Sequence, residues 1–204
     1  MQCVLLLFLL LTLSFCRPIS ALAQGLQLGA TQNAVGTLTV VRSDGIEERI
    51  QGRRTLQLFE GDALRTEVSS RALIGLRDGT HVALGDNTTV KILARWEKAK
   101  GLIPILQLVQ GELWVRRGRG AKQLDVQTPV AVAAARETEF DLRVLEDGET
   151  TVTVLHGMVD FATPLGACSV HSATVSHSSR GRSCTPPAPA DGKPGMAWTQ
   201  ALLR

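Results

Sequence analysis

Apolar and polar side chains alternate with period two through much of this chain. From Val130 onward the even positions Val130, Val132, Ala134, Arg136, Thr138, Phe140, Leu142 and Val144 are mostly apolar. The odd positions from Glu137 to Arg143 are all charged. Successive side chains of a strand point to opposite faces, so this pattern predicts a half-buried strand. A helix would scatter Phe140, Leu142 and Val144 around its surface, despite the alanines at 131, 133 and 135. Pro129 fits a strand's start, where a missing N–H costs little. On this reading Glu137, Glu139 and Asp141 form a solvent face, and Arg136, on the inward side, marks a bend or a buried ion pair.

The same alternation flanks Asp44-Gly45, Asp78-Gly79 and Asp147-Gly148. Asp-Gly between alternating runs predicts a hairpin, because those residues tolerate positive φ. A second device is a glycine followed by apolar residues two and four places on: Gly36-Leu38-Val40, Gly111-Leu113-Val115 and Gly157-Val159-Phe161. A glycine entering a strand predicts a bulge or a corner. Its spacing is irregular, which argues against a strict repeat. No helix is predicted beyond a turn or two at residues 95–101. The expected fold is all-β: two packed sheets of short, mostly antiparallel strands, with solenoid-like winding as a variant.

The ends differ from the middle. Val4 to Cys16 is an apolar run of 13 residues followed by Ala21-Leu22-Ala23. That is shorter than the roughly 18 residues of a membrane span and has a cleavage-like end. Residues 1–23 therefore read as a secretory signal, with a periplasmic product and no stable membrane span once it is cleaved. An uncleaved anchor is the alternative. Residues 24–34 read as a linker, 35–165 as the β domain, and 166–204 as a Ser/Pro/Gly-rich tail, loop-rich or disordered. Trp198, in "MAWTQALL", is a candidate docking residue at its end. Cys168 and Cys184 lie in that tail, sixteen residues apart. In an exported chain they are a candidate disulfide worth about 3 kcal/mol. With His171 and His177 they also have the ligand types of a zinc site, which is the less favoured reading.

The formal net charge is +3, there is no tyrosine, and aromatics make up 4%. Nucleic-acid binding would call for a strongly basic face and stacking rings, so it is not expected. The basic run Arg116, Arg117, Arg119 and Lys122, beside Trp114, is a candidate contact for a partner or an anionic envelope polymer. Its plainer reading is a solvated loop, with Trp114 packed on a turn or on the tail. No nucleophile elbow, phosphate loop or paired base is visible. The chain reads as no enzyme and as needing no cofactor. His156 is the histidine to watch, because it sits beside Gly157 in a core element.

Four segments resemble the FecR domain family in unbroken order over about residues 35–162. "FEGDALRTEVSSRALIGLRDGTHVAL" resembles its opening pattern, and "LQLVQGELWV" its strand–Gly–strand element. "VQTPVAVAAARETEF" resembles its Thr-Pro and Arg-Gly-Thr-x-Phe segment, and "TVTVLHGMVDF" its closing strand pair. Glu137 stands where that family has glycine, and His156 where an acidic residue is common. Regulators of the family carry a cytoplasmic anti-sigma region and a membrane helix before this domain. Here a signal and a short linker precede it, so the sigma-regulating role is not carried over. The resemblance implies an exported all-β module that binds an envelope protein partner.

Overall fold

The computed structural model describes residues 25–118, 120–121, 123–190, 198, 199 and 202; the leader read at 1–23 lies outside them. Strands dominate the described residues. In chain order they are β1 (Gln27–Val41), β2 (Glu47–Gly52), β3 (Gln57–Phe59), β4 (Ala63–Thr66), β5 (Arg71–Leu76), β6 (His81–Leu84) and β7 (Thr89–Glu97). They continue with β8 (Gly101–Arg116), β9 (Leu124–Gln127), β10 (Val132–Val144), β11 (Thr150–Thr163), β12 (Gly166–His171), β13 (Thr174–Ser178) and β14 (Ala188–Pro189). The all-β, mostly antiparallel expectation holds. Among the described pairings, only β8 with β9 is parallel.

Four long strands, β1, β8, β10 and β11, change partners midway, and this makes two layers. In the first layer the N-terminal half of β1 pairs with β5, then β6, then the C-terminal half of β8. The same layer continues through the C-terminal half of β10, the N-terminal half of β11, β13 and β14. In the second layer β2 pairs with the C-terminal half of β1, then β4, β7 and the N-terminal half of β8 follow. It continues through β9, the N-terminal half of β10, the C-terminal half of β11 and β12. Hydrogen bonding runs unbroken through both layers and closes a ring through β8, β6, β5, β1, β4 and β7. One apolar core lies between them, with Leu38, Leu64, Ile92 and Leu106 from one layer and Ile74, Leu84, Phe140 and Val152 from the other.

Each long strand turns its corner through a residue with positive φ. These are Gly36 (φ 76°), Gly111 (φ 97°), Glu137 (φ 46°) and Gly157 (φ 85°). Such a bulge adds a residue to one strand and bends it. A hydroxyl residue sits against each glycine: Ser70 on Gly36, Thr88 on Gly111, Thr138 on Gly157. A Cβ built on Gly111 would lie 2.5 Å from the Thr88 Cα, and one on Gly157 2.7 Å from the Thr138 Cγ2. At two corners the hydroxyl also accepts the next N–H: Thr37 N donates to Ser70 Oγ at 3.0 Å, and Glu112 N to Thr88 Oγ1 at 3.0 Å. At the third, Thr138 Oγ1 is buried without a partner.

The corner at Glu137 corrects one reading of β10. Before it Ala131, Ala133 and Ala135 face the core; after it Thr138, Phe140, Leu142 and Val144 do, while Asp141 is buried from the other face. The bulge adds one residue and reverses the phase of the alternation. Arg136 therefore points outward, exposed, rather than into the core.

The three Asp-Gly hairpins are alike. In each, the glycine has φ between 81° and 88° and the aspartate carboxylate accepts the N–H two residues on, at 2.9–3.0 Å. The glycine N–H donates three residues back, to Arg42, Leu76 or Leu145. Two boundaries differ from expectation. Residues 27–34 are strand, not linker, because β1 pairs with β3 and β5 there. Residues 166–190 of the tail are built into the fold: β12 and β13 extend the layers, and Cys168 and Cys184 form a disulfide with Cα atoms 6.2 Å apart.

Glu137→Gly should raise folding stability by about 1 kcal/mol. A side chain in the left-handed region costs about 1–2 kcal/mol, and the entropy lost with glycine returns part of that. Urea unfolding of the two proteins measures the difference.

Candidate functional site

The motifs that gave the sequence its family look are mainly structural. Asp62 is buried; its Oδ2 accepts from Phe59 N at 2.8 Å and from Arg42 Nη1 at 2.6 Å. Arg42 also reaches Glu48 at 2.8 Å and lies 5.6 Å from the centre of the Phe59 ring. Thr128 closes the turn before β10: Ala131 N donates to its Oγ1 at 3.0 Å, and its own N–H donates to Ala131 O at 2.8 Å.

The basic run after β8 is divided by burial. Arg116 is exposed and lies 5.4 Å from the Trp114 ring centre. The Arg117 side chain is 0% exposed; it pairs with Asp78 at 3.1 Å and donates to Thr80 Oγ1 at 2.7 Å. Burial pulls its pKa down, opposed by Asp78, and its Nε and Nη2 have no partner. Arg117 thus clamps the Asp78-Gly79 hairpin and is not free to meet a partner. Arg119 and Lys122 lie outside the described residues. Trp114 is also corrected as a surface contact: it is 1% exposed. Its ring N–H donates to Glu139 Oε1 at 3.2 Å, and it packs with Leu73, Ala83, Leu155, Trp198 and Leu202. The covering tail is what burial of an outer-face tryptophan requires.

Zinc through Cys168 and Cys184 does not fit this structure, because both sulfurs are joined in the disulfide and neither is a thiolate. His171 stands opposite Met158 on β12, and His177 Nδ1 is 2.8 Å from Thr151 Oγ1. His81 Nδ1 is 3.3 Å from Gln32 Oε1; burial, then Arg116, lowers its pKa. His156 is exposed. An open groove of about 570 Å³ lies between Pro129–Val132, Ala162–Leu165 and Arg180–Arg182, with no histidine in its lining.

Among the described residues, two sheet surfaces are considered as places to meet another molecule. One is the free edge of the second layer, β12, which pairs only with β11 among the described residues. The other is the outer face of the first layer around Trp114, where Glu112 and Asp141 lie side by side under Trp198. Alternation on its own gives Asp141 to solvent, yet it is 5% exposed. Nothing local in the sequence signals this; the signal is the distant apolar cluster Trp198–Leu202.

A family model described as "FecR protein" matches residues 62–160. No curated protein matches the chain. Two solved structures of similar fold are crystal structures of a "putative anti-sigma factor" from Parabacteroides distasonis ATCC 8503, at 1.65 and 2.50 Å resolution. Their TM-scores are 0.57 and 0.56, each with 19% identity over 68% of this chain. The match spans 64% of the length of those chains.

Arg117→Ala should lower folding stability by about 1–3 kcal/mol, since it removes the buried donor to Thr80 Oγ1 and the partner of half-buried Asp78. Arg116→Ala, removing an exposed cation over a ring, should cost less than about 1 kcal/mol. Urea titrations of both variants read the contrast.

Proposed function

We propose, for a chain whose residues 62–160 belong to the FecR family, a non-catalytic, exported protein-interaction module that signals in the cell envelope. Its partner adds a strand to β12. The family and the fold support a regulatory module. The Cys168–Cys184 disulfide supports export, because such bonds persist in oxidising compartments. The apolar leader at 1–23 supports the same route, and the periplasm is the compartment this reading assigns.

The observation that carries the reading is the unequal treatment of the sheet edges. Bare edges invite pairing, and proteins blunt them with proline, charge or short strands. Beyond β13 runs Thr185–Ala190, held by Thr185 N to His177 O at 2.8 Å and Ala190 N to Ala173 O at 3.0 Å. Its prolines 186, 187 and 189 offer no N–H to a further strand. The β2 edge carries Glu47, Glu48 and Arg49, and β3 has only three residues. β12 reads Gly-Ala-Cys-Ser-Val-His, with neither proline nor a formal charge, and Ala167 and Ser169 are exposed. Antiparallel pairing engages the main-chain groups of alternate residues only, so half of those on β12 face away from β11. An extended partner segment fits there by strand addition. An anionic envelope polymer on the basic run is the weaker reading, since Arg117 is withdrawn into the protein.

A photo-crosslinking side chain at Ser169 should form an adduct with one envelope protein in intact cells, and the same group at Arg49 should not. No adduct from position 169, or equal yields from both, contradicts the edge assignment.

A further inference from the structure

The open groove of about 570 Å³ lies where β10 begins and β11 ends, and its volume is in the range of small-molecule sites. Two of its walls are residues 128–132 and 162–165, which present Pro129, Val130, Val132, Ala162, Pro164 and Leu165. Val132 stands opposite Ala162 in the β10–β11 pairing, so these walls belong to one layer. Leu165 is 64% exposed.

The third wall is the loop 180–182. A loop of arginine and glycine has no apolar side chain to hold it, and other bonds do so here. Arg182 N donates to Ser179 O at 3.1 Å, and Ser178 Oγ to Arg182 O at 3.3 Å. Cys184, two residues on, is joined to Cys168 of β12. Ser183 fills the space beside Gly166, where an added Cβ would lie 2.7 Å from its Oγ. Arg180 and Arg182 are exposed, and among the described residues neither is in an ion pair. No acidic residue lines the groove. The Asp147-Gly148 hairpin abuts Pro129, and its Asp147 carboxylate accepts the Glu149 N–H.

The main chain of the walls decides between a peptide and an aliphatic chain. An extended peptide binds through main-chain N–H and C=O groups that are free to pair. Pro129 and Pro164 have no N–H. Those of Val130 and Ala131 donate to Thr128 Oγ1 at 3.4 and 3.0 Å, and that of Leu165 to Thr163 Oγ1 at 3.2 Å. No aromatic ring lines the groove, as a bilayer-interface site would favour. The result is an aliphatic channel beside two guanidinium groups.

We propose that this groove binds one molecule of a free long-chain carboxylate, a fatty acid. The chain lies along Val130, Val132, Ala162 and Leu165. The carboxylate meets Arg180 and Arg182, whose forked donors match its two oxygens. Burial of methylenes supplies most of the affinity, because exposed ion pairs contribute little. Occupancy needs no strand pairing at β12, so the two sites are separable.

Equilibrium dialysis of the full chain against labelled dodecanoate, at pH 8 and below its micelle concentration, tests the site. One molecule should bind per chain. Decanoate, two methylenes shorter, should bind about tenfold more weakly. Leu165→Asp puts a charge at an exposed position of the wall and should abolish binding. Arg180→Gln with Arg182→Gln should weaken dodecanoate about fivefold and leave the affinity for dodecanol unchanged. Near-ultraviolet circular dichroism should match the unaltered chain in each variant. If Leu165→Asp changes it, Leu165→Ser, with an expected loss of about tenfold, takes its place. Five results overturn the proposal: no binding, equal affinity for decanoate, binding that survives the change at Leu165, an arginine double variant that binds dodecanoate as before, or one that loses dodecanol equally. A second copy of the chain in the groove would appear in sedimentation as a dimer that Leu165→Asp dissolves, and that outcome also overturns it.

Discussion

Left-handed backbone at the strand corners is the constraint on which the rest of this structure depends. A long pleated strand cannot serve two layers unless it bends sharply, and an L-residue resists the φ that the bend requires. Gly36, Gly111 and Gly157 remove that resistance, and Glu137 bears it. The space left by each missing Cβ is filled by Ser70 or Thr88, each just ahead of a strand, or by Thr138 of β10. Corner and filler together set the register in which β1, β8, β10 and β11 enter the second layer. From there the core follows, because each bend returns the apolar side of the strand to the interior.

Strand content, the three hairpins and the three glycine corners were legible in the sequence, for a local reason. Asp-Gly turns and bulge glycines act through their own φ and their own side chain, as the shared carboxylate-to-N–H bonds of Asp44, Asp78 and Asp147 demonstrate. The corner at Glu137 was not legible as a phase change, because a charged residue hides a left-handed position that glycine announces. Residues 27–34 were misread as a linker because their pairing partners, β3 and β5, come from later in the chain.

The surface was less legible than the core. Trp114 alternates opposite Leu113 and Val115, which places it on the outer face, and that is correct; what covers it comes from more than eighty residues away. The same distant segment buries Asp141, which alternation alone assigns to solvent. Arg117 looked like its neighbour Arg116, yet a partner thirty-nine residues earlier draws it inward. Edge exposure is equally non-local, since it depends on the order of strands across the sheet. A polar or charged residue in a strand reveals its face, but not what else lies on that face.

Gly111→Ala compared with Gly45→Ala tests the corner account most directly. Gly45 has φ 88° with nothing within 4 Å of an added Cβ, whereas Gly111 has φ 97° and faces Thr88. Both alanines bear the left-handed cost of about 1–2 kcal/mol. Only the second also displaces the Thr88 backbone and its bond to Glu112 N, so by urea unfolding Gly111→Ala should lose at least about 2 kcal/mol more. Equal losses would mean that the corners do not set the fold.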